Sequence, residues 1–182
     1  RPATYDELQQ FYQMHLGIRK YKYHLLAQPF SFFDNIWQQF IARDQGQLMV
    51  ATLDDVVIGA VMYLIWGDTL MCKFSTSNPD YSQYLSSDVL FWEGIRYASE
   101  RGCTALDFGL SDLDQEGLIR FKDKYTREQS RISFVETKPA ASNSVHRQIN
   151  SLLPALTDLF TDPSVPDDIT ESAGDLLYSF FA

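Results

Sequence analysis

Cysteine and histidine are scarce in these 182 residues, with two of the first and three of the second. Cys72 and Cys103 lie far apart, each inside an apolar run, which points to two reduced, buried thiols in a cytosolic setting rather than to a disulfide framework. His15, His24 and His146 are scattered with no accompanying Cys or Asp/Glu pattern, so no metal centre is expected. No apolar run approaches the ~20 residues of a membrane span, and the longest, "VVIGAVMYLIW", has the length of a strand. No secretory leader is visible, and the chain opens on Arg1, which reads as an excerpt from something longer. The nucleophile elbow GxSxG, the phosphate-binding loop and the dinucleotide glycine fingerprint do not occur, which removes the most easily recognised hydrolase, nucleotidase and dehydrogenase assignments.

Positive charge is also short. The formal charge is −9, which argues against broad binding to nucleic acid, since that rests on Lys and Arg meeting phosphates. The deficit is uneven: residues 1–138 hold fourteen Lys/Arg against eighteen Asp/Glu, whereas residues 139–182 hold one against six. The single dense basic cluster is Arg19, Lys20 and Lys22. We therefore divide the chain into a domain at 1–138 and an acidic, helical tail at 139–182, with 139–143 as linker.

What is present is enough apolar and aromatic sequence for one core. Residues 5–23 place Leu8, Phe11, Tyr12, His15, Ile18 and Tyr21 or Lys22 at helical spacing, with Thr4 or Asp6 as cap. After Pro29, "SFFDNIWQQFIAR" gives a second helix with Phe33, Ile36, Trp37 and Phe40 inward. Then the period changes. "QLMVATL", "VVIGAVMYLIW" and "TLMCKFSTS", separated by the turns "DD" and "GD", predict three antiparallel strands. A helix follows, capped by Ser86 or Ser87 and ended by Gly102, then a strand in "CTALDFGL", a short helix from Asp114 to about Tyr125, and a last strand in "RISFVET". Trp37, Trp66 and Trp92 all fall on apolar faces and are expected in the core. "SVHRQINSLLPALTDLF" is a further helix interrupted or restarted at Pro154, and the apolar "LLYSFF" closes the tail. The order is α+β, with a mixed sheet.

Charged residues interrupt this apolar pattern around one strand-to-helix turn. In "ALDFG", Asp107 alternates with Leu106 and Phe108, so it either caps backbone amides at the strand end or faces a site. Lys122 shares a helix face with Leu118, Phe121 and Tyr125, so its ammonium must snorkel, pair with Asp107 or Glu116, or enter a cavity and meet an anion. Lys124 lies on another face. Asp114 and Glu116 suit a helix start as cap and dipole partners. Lys73 interrupts the third strand, facing either the same cleft or solvent.

Five segments in order carry a family resemblance: "FYQMHLGIRKY", "QPFSFFDNIWQQFI", "GAVMYLIWGDTLMCKFSTSNPDY", "LFWEGIRYASERGCTALDFG" and above all "DQEGLIRFKDKY". Over about residues 8–137 the chain resembles the N-acetyltransferase (GNAT) fold, and more finely the FemAB-related, BioF-like acyltransferases. The resemblance implies a mostly antiparallel mixed sheet flanked by helices and transfer of an acyl or aminoacyl group to a small-molecule or peptide amine. It implies no tightly bound cofactor, an acyl-CoA or aminoacyl-tRNA donor, and a preceding domain of a tandem pair.

It also implies Lys122, within "GLIRFK", and Asp107 as catalytic residues and Lys73 as a site residue; Ser86, Ser87, Asp114, Glu116, Gly117 and Lys124 are the further candidates for binding substrate. Two departures stand out: "KYTRE" follows Lys122 where such proteins run to a tryptophan and glycine, and "SQYLSSDVL" has no glycine where acetyl-CoA-dependent members carry a pyrophosphate loop. Ser86, Ser87 and the amides behind them remain available to an anion at the helix start. The other reading is a noncatalytic GNAT-fold module that docks a partner through its cleft or through "LLYSFF".

Overall fold

The computed structural model describes residues 1–126, 128–135 and 144–180. The expected boundary at 138/139, the linker 139–143, and Glu136 and Thr137 of the expected last strand lie outside the described residues.

The first helix, α1 (Glu7–Gly17), begins where Glu7 reaches back to the Thr4 amide at 2.8 Å and to Arg1 at 2.6 Å. Its inward stripe is Leu8, Phe11, Tyr12, His15 and Leu16. The helix then widens into a π-helical turn, Ile18–Lys22. That widening changes the period, so Lys20 turns fully inward while Tyr21 and Lys22, expected on the apolar stripe, face solvent. Helix α2 (Phe30–Gln39) lays Phe33 and Ile36 on α1, with Trp37 and Phe40 partly buried beside them.

Three antiparallel strands follow as read from the sequence: β1 (Gly46–Leu53), β2 (Val56–Trp66) and β3 (Thr69–Ser77). Asp54 and Asp55 both have positive φ, the pair that a two-residue hairpin matching the strand twist requires. One sheet face, with Leu48, Val50, Ala60 and Met62, packs on α1 and α2. The other, with Met49, Val61, Tyr63 and Leu70, packs on Leu90, Phe91 and Ala98 of α3 (Ser86–Glu100). Strand β4 (Ala105–Asp107) pairs parallel with β3 and completes the order β1-β2-β3-β4.

Several expectations are corrected here. Trp66 and Trp92 are 75% and 58% exposed, because one ends β2 beyond the packed helices and the other lies off the Leu90–Phe91–Ala98 stripe. The fourth strand is three residues, since Gly109 takes φ +71 and turns the chain away. Helix α4 spans only Glu116–Lys122, with Gln115 rather than Asp114 at its start. Residues 131–135 form no strand, and Ile132, Phe134 and Val135 are exposed.

The tail folds as α5 (Ser144–Phe160), with Pro154 inside it, and α6 (Asp167–Leu177). It docks against α1 and the turn after it. Lys20 donates to Asp167 at 2.7 Å and to the Val165 carbonyl, Tyr21 donates to the same carboxylate, and Gly174 lies against the Ala27 carbonyl so closely that no Cβ would fit.

Candidate functional site

The parallel pair β3–β4 is hydrogen-bonded over three positions only, from Thr69↔Ala105 to Met71↔Asp107. Beyond Met71 the strands part: β3 runs on to Ser77, while β4 stops and its chain leaves through Gly109. Among the described residues no strand pairs with the outer edge of Cys72–Ser77; Gly109 still lies against the Cys72 carbonyl, and past it the backbone groups of the edge border the opening left where β4 ends. A β-bulge sits at its base. Met62 pairs with Phe74 and Tyr63 with Cys72, leaving Lys73 without an opposite residue. The bulge reverses the side-chain alternation, so Cys72 faces the α3 side and Phe74 the α1–α2 side.

The two residues expected to be catalytic meet at the open end of β4. Asp107 Oδ1 accepts the Gly109 amide at 2.7 Å, while Lys122 Nζ donates to the carbonyls of Gly109 and Leu110, both at 2.8 Å. Carboxylate and ammonium thus grip opposite ends of one residue instead of pairing with each other. Asp107 takes the capping role that the sequence left open, and Lys122 retains one N–H beyond these two bonds. Burial lowers the affinity of Lys122 for its proton, an effect that nearby Cys72 and Asp107 oppose. Burial pushes the Cys72 thiol up to about 12, so it is not a thiolate nucleophile at neutral pH.

Beneath this loop, Phe108, Phe121 and Tyr125 close around Phe91 of α3, with ring centroids 5.0 to 5.6 Å from it. The Tyr125 hydroxyl donates to Asp88 Oδ1 at 2.6 Å, and Lys124 reaches the same oxygen at 2.9 Å. Lys124 is thereby tied to the first turn of α3, which also carries Ser86 and Ser87. Ser86 is buried against Gly59 and points to the Ile58 carbonyl at 3.5 Å. Ser87 is half-buried.

Asp114, Glu116 and Gly117 stand apart from these contacts, whereas Lys73 stays at the bulge. Asp114 is exposed, Glu116 is exposed and 3.9 Å from Arg120, and Gly117 has open space around its Cα. Lys73 is exposed, its ammonium 5.9 Å from the Phe74 ring. Asp88 was not legible as a site residue, because a carboxylate in a first helical turn reads as a dipole partner. A separate groove of about 390 Å³ lies on the other side of the α3 start, lined by Thr52, Ile58, Tyr84, Ser86, Leu90 and Glu93 among others. Among the described residues no three His, Cys, Asp or Glu side chains are placed to hold a metal ion, and no helix is long and apolar enough to cross a membrane.

The family described as "Acetyltransferase (GNAT) domain" matches residues 2–123, well over half of the chain. The chain belongs to that family. Solved GNAT-type structures share its fold at low identity. An aminoglycoside N-acetyltransferase, AAC(6')-Iy, in complex with CoA is 15% identical with a TM-score of 0.57, over 76% of this chain and 98% of that one. A possible acetyltransferase from Clostridium difficile 630 is 14% identical at TM-score 0.61, over 76% and 96%. An aminoglycoside acetyltransferase from an uncultured soil metagenomic sample, in complex with sisomicin, is 10% identical at TM-score 0.58, over 76% and 94%. No curated protein matches the chain. The GNAT match ends at Asp123, just past Lys122, and does not include the tail.

Proposed function

We propose that this GNAT domain is an N-acyltransferase that moves an acyl group from an acyl-CoA to a small-molecule or peptide amine, with the reacting atoms at the β3–β4 opening. One observation carries the reading: the Lys122 ammonium stands just past the end of β4, fixed by two carbonyls and with a donor to spare. The complexes of structural neighbours with CoA and with sisomicin support the same donor and acceptor classes. In the step itself, the neutral amine nitrogen attacks the thioester carbonyl and forms the C–N bond. The carbonyl becomes an oxyanion, which then expels the sulfur and leaves amide and thiol, the amine proton passing to the thiolate through solvent. Lys122 stabilises the oxyanion, and Asp107 keeps the Gly109 peptide that Lys122 grips in place. The Cys72–Ser77 edge offers backbone groups to the extended donor arm, and Lys73 lies at its base.

The finer FemAB-related reading adds an aminoacyl-tRNA donor. Among the described residues the Arg19–Lys20–Lys22 cluster offers it little basic surface, since Lys20 is buried under the tail and Arg19 is bound to the Leu26 carbonyl. Acyl-CoA is therefore the donor to test first, with aminoacyl-tRNA in the same panel.

The test is release of free thiol from acyl-CoAs in the presence of an amine panel, for the parent and for Lys122→Met and Lys122→Arg. We expect Lys122→Met to lower kcat about 10²-fold or more with KM little changed. Because burial eases proton loss from Lys122, parent activity should fall on the alkaline side below the ordinary lysine value of 10.5, and Lys122→Arg should move that limb upward. Unchanged turnover in Lys122→Met removes the assigned role. No transfer from any donor leaves the noncatalytic docking module as the better reading.

A further inference from the structure

Helix α4 is seven residues long, too short to hold its own position, and both of its functional ties lie at its C-terminal end. Lys122 is its last residue. The backbone amides of Tyr125 and Thr126 donate to the Lys122 carbonyl at 2.9 and 3.2 Å, so the turn after the helix is continuous with it. That turn is held from outside by one oxygen: Asp88 Oδ1 receives the Tyr125 hydroxyl and the Lys124 ammonium together. Asp88 stands on a rigid base, because α3 is fifteen residues long and its first turn is pressed onto β2 at Gly59. Tyr125 in turn stacks on Phe91 and Phe108, the residue that links Asp107 to Gly109.

We propose that Asp88 is a positioning residue that holds the Lys122 ammonium at the β3–β4 opening through Tyr125 and Lys124. The proposal deepens the functional reading above and rests on it for its catalytic consequence. Its structural half stands alone. Asp88 touches neither Lys122 nor the opening; it fixes the angle at which α4 presents Lys122 to the Gly109 and Leu110 carbonyls. Without the tie, α4 is free to rock about the Phe121 contact, and Lys122 exchanges its two carbonyls for water.

The experiment uses the full chain and reads Lys122 directly. Brief labelling with acetic anhydride, followed by peptide mass mapping, compares Lys122 with exposed Lys73 in the parent, Asp88→Asn, Asp88→Ala and Tyr125→Phe. Lys122 in the parent should label several-fold more slowly than Lys73, because its half-buried ammonium is held by two carbonyls, an effect that must outweigh the faster labelling its easier proton loss would give. Asp88→Ala should bring the two rates together. Asp88→Asn, whose amide oxygen still accepts the Tyr125 hydroxyl, should stay within about twofold of the parent. Tyr125→Phe keeps the ring in its cluster while removing the same hydrogen bond, and should move Lys122 in the direction of Asp88→Ala even if the alanine variant does not fold.

In the transfer assay, Asp88→Ala and Tyr125→Phe should lower kcat with donor KM within about twofold, and Asp88→Asn should recover most of the loss. Unchanged Lys122 labelling in Tyr125→Phe and in any folded Asp88→Ala overturns the proposal, as does equal loss in Asp88→Asn and Asp88→Ala. If no variant or parent transfers an acyl group, the functional reading fails while the labelling still decides the Asp88–Lys122 coupling.

Discussion

Glu7 and His15, eight residues apart on one helix, both hold their protons less firmly in the fold than in the free chain, for different reasons. The Arg1 guanidinium, hydrogen-bonded to both carboxylate oxygens, lowers Glu7 from 4.5 to about 2 against the opposing effect of burial, with the Thr4 amide helping. Burial beside Phe11, Phe33 and Phe74 lowers His15 from 6.5 to about 4, only partly offset by its hydrogen bond to Gln28. A depressed folded value means that the unfolded chain binds the proton first. Stability from His15 is therefore complete above 6.5 and lost as pH falls toward 4, and that from Glu7 is complete above 4.5 and lost as pH falls toward 2. Urea midpoints measured from pH 7 to pH 3 should decline in two overlapping stages, and His15→Gln should flatten the first. An unchanged slope between pH 6.5 and 4 in that variant would refute the assignment. Residue chemistry was partly legible in the sequence. A lysine on an apolar face and an acid in a strand announced a polar turn, but their shared target, the Gly109 residue, depends on where a loop returns. Lys20 read only as part of the dense basic cluster with Arg19 and Lys22, because its partner Asp167 is 147 residues away.

At the scale of elements, the hairpins and the presence of β4 were legible because alternation and turn residues are local signals, whereas the early end of β4 and the lack of a strand at residues 131–135 were not. Strand preference states only that a segment suits a pleated surface, and residues 131–135 find no neighbour there. The β3 bulge was likewise hidden, since one inserted residue reverses the faces without altering composition. The contact that seats α3 on the sheet is tight: a Cβ on Gly94 would collide with the phenol ring of Tyr63, whose hydroxyl donates to the Leu90 carbonyl at 3.1 Å. Tyr63 is fully buried and cannot swing away. Gly94→Ala should therefore cost about 1–3 kcal/mol of stability by overpacking, despite alanine's better helix propensity. Thermal or urea unfolding measures this, and a neutral or stabilising effect would show that α3 is seated less closely.

For the whole molecule, the acidic tail is a docked part of the fold. Its α6 covers a completely buried lysine and buries Thr170, bonded to the Phe160 carbonyl of α5, along with Ala173 and Gly174, the last against the Ala27 carbonyl. Asp167→Ala removes the carboxylate that pairs with the buried Lys20 ammonium, leaving it the Val165 carbonyl and the Tyr21 side chain, and should destabilise by about 1–3 kcal/mol. Limited proteolysis should then cut the tail sooner than in the parent, and equal resistance would argue that the ion pair does not hold it.

Whether the donor sits at the β3–β4 opening is decided by titrating the ¹⁵N-labelled chain with acetyl-CoA and following its amide chemical shifts. Saturable shifts are expected at Cys72–Ser77, Gly109 and Leu110, along the edge and loop that frame the β3–β4 opening. Shifts confined to Thr52, Ser86 and Glu93 in the other groove, or no shifts at all, would contradict it.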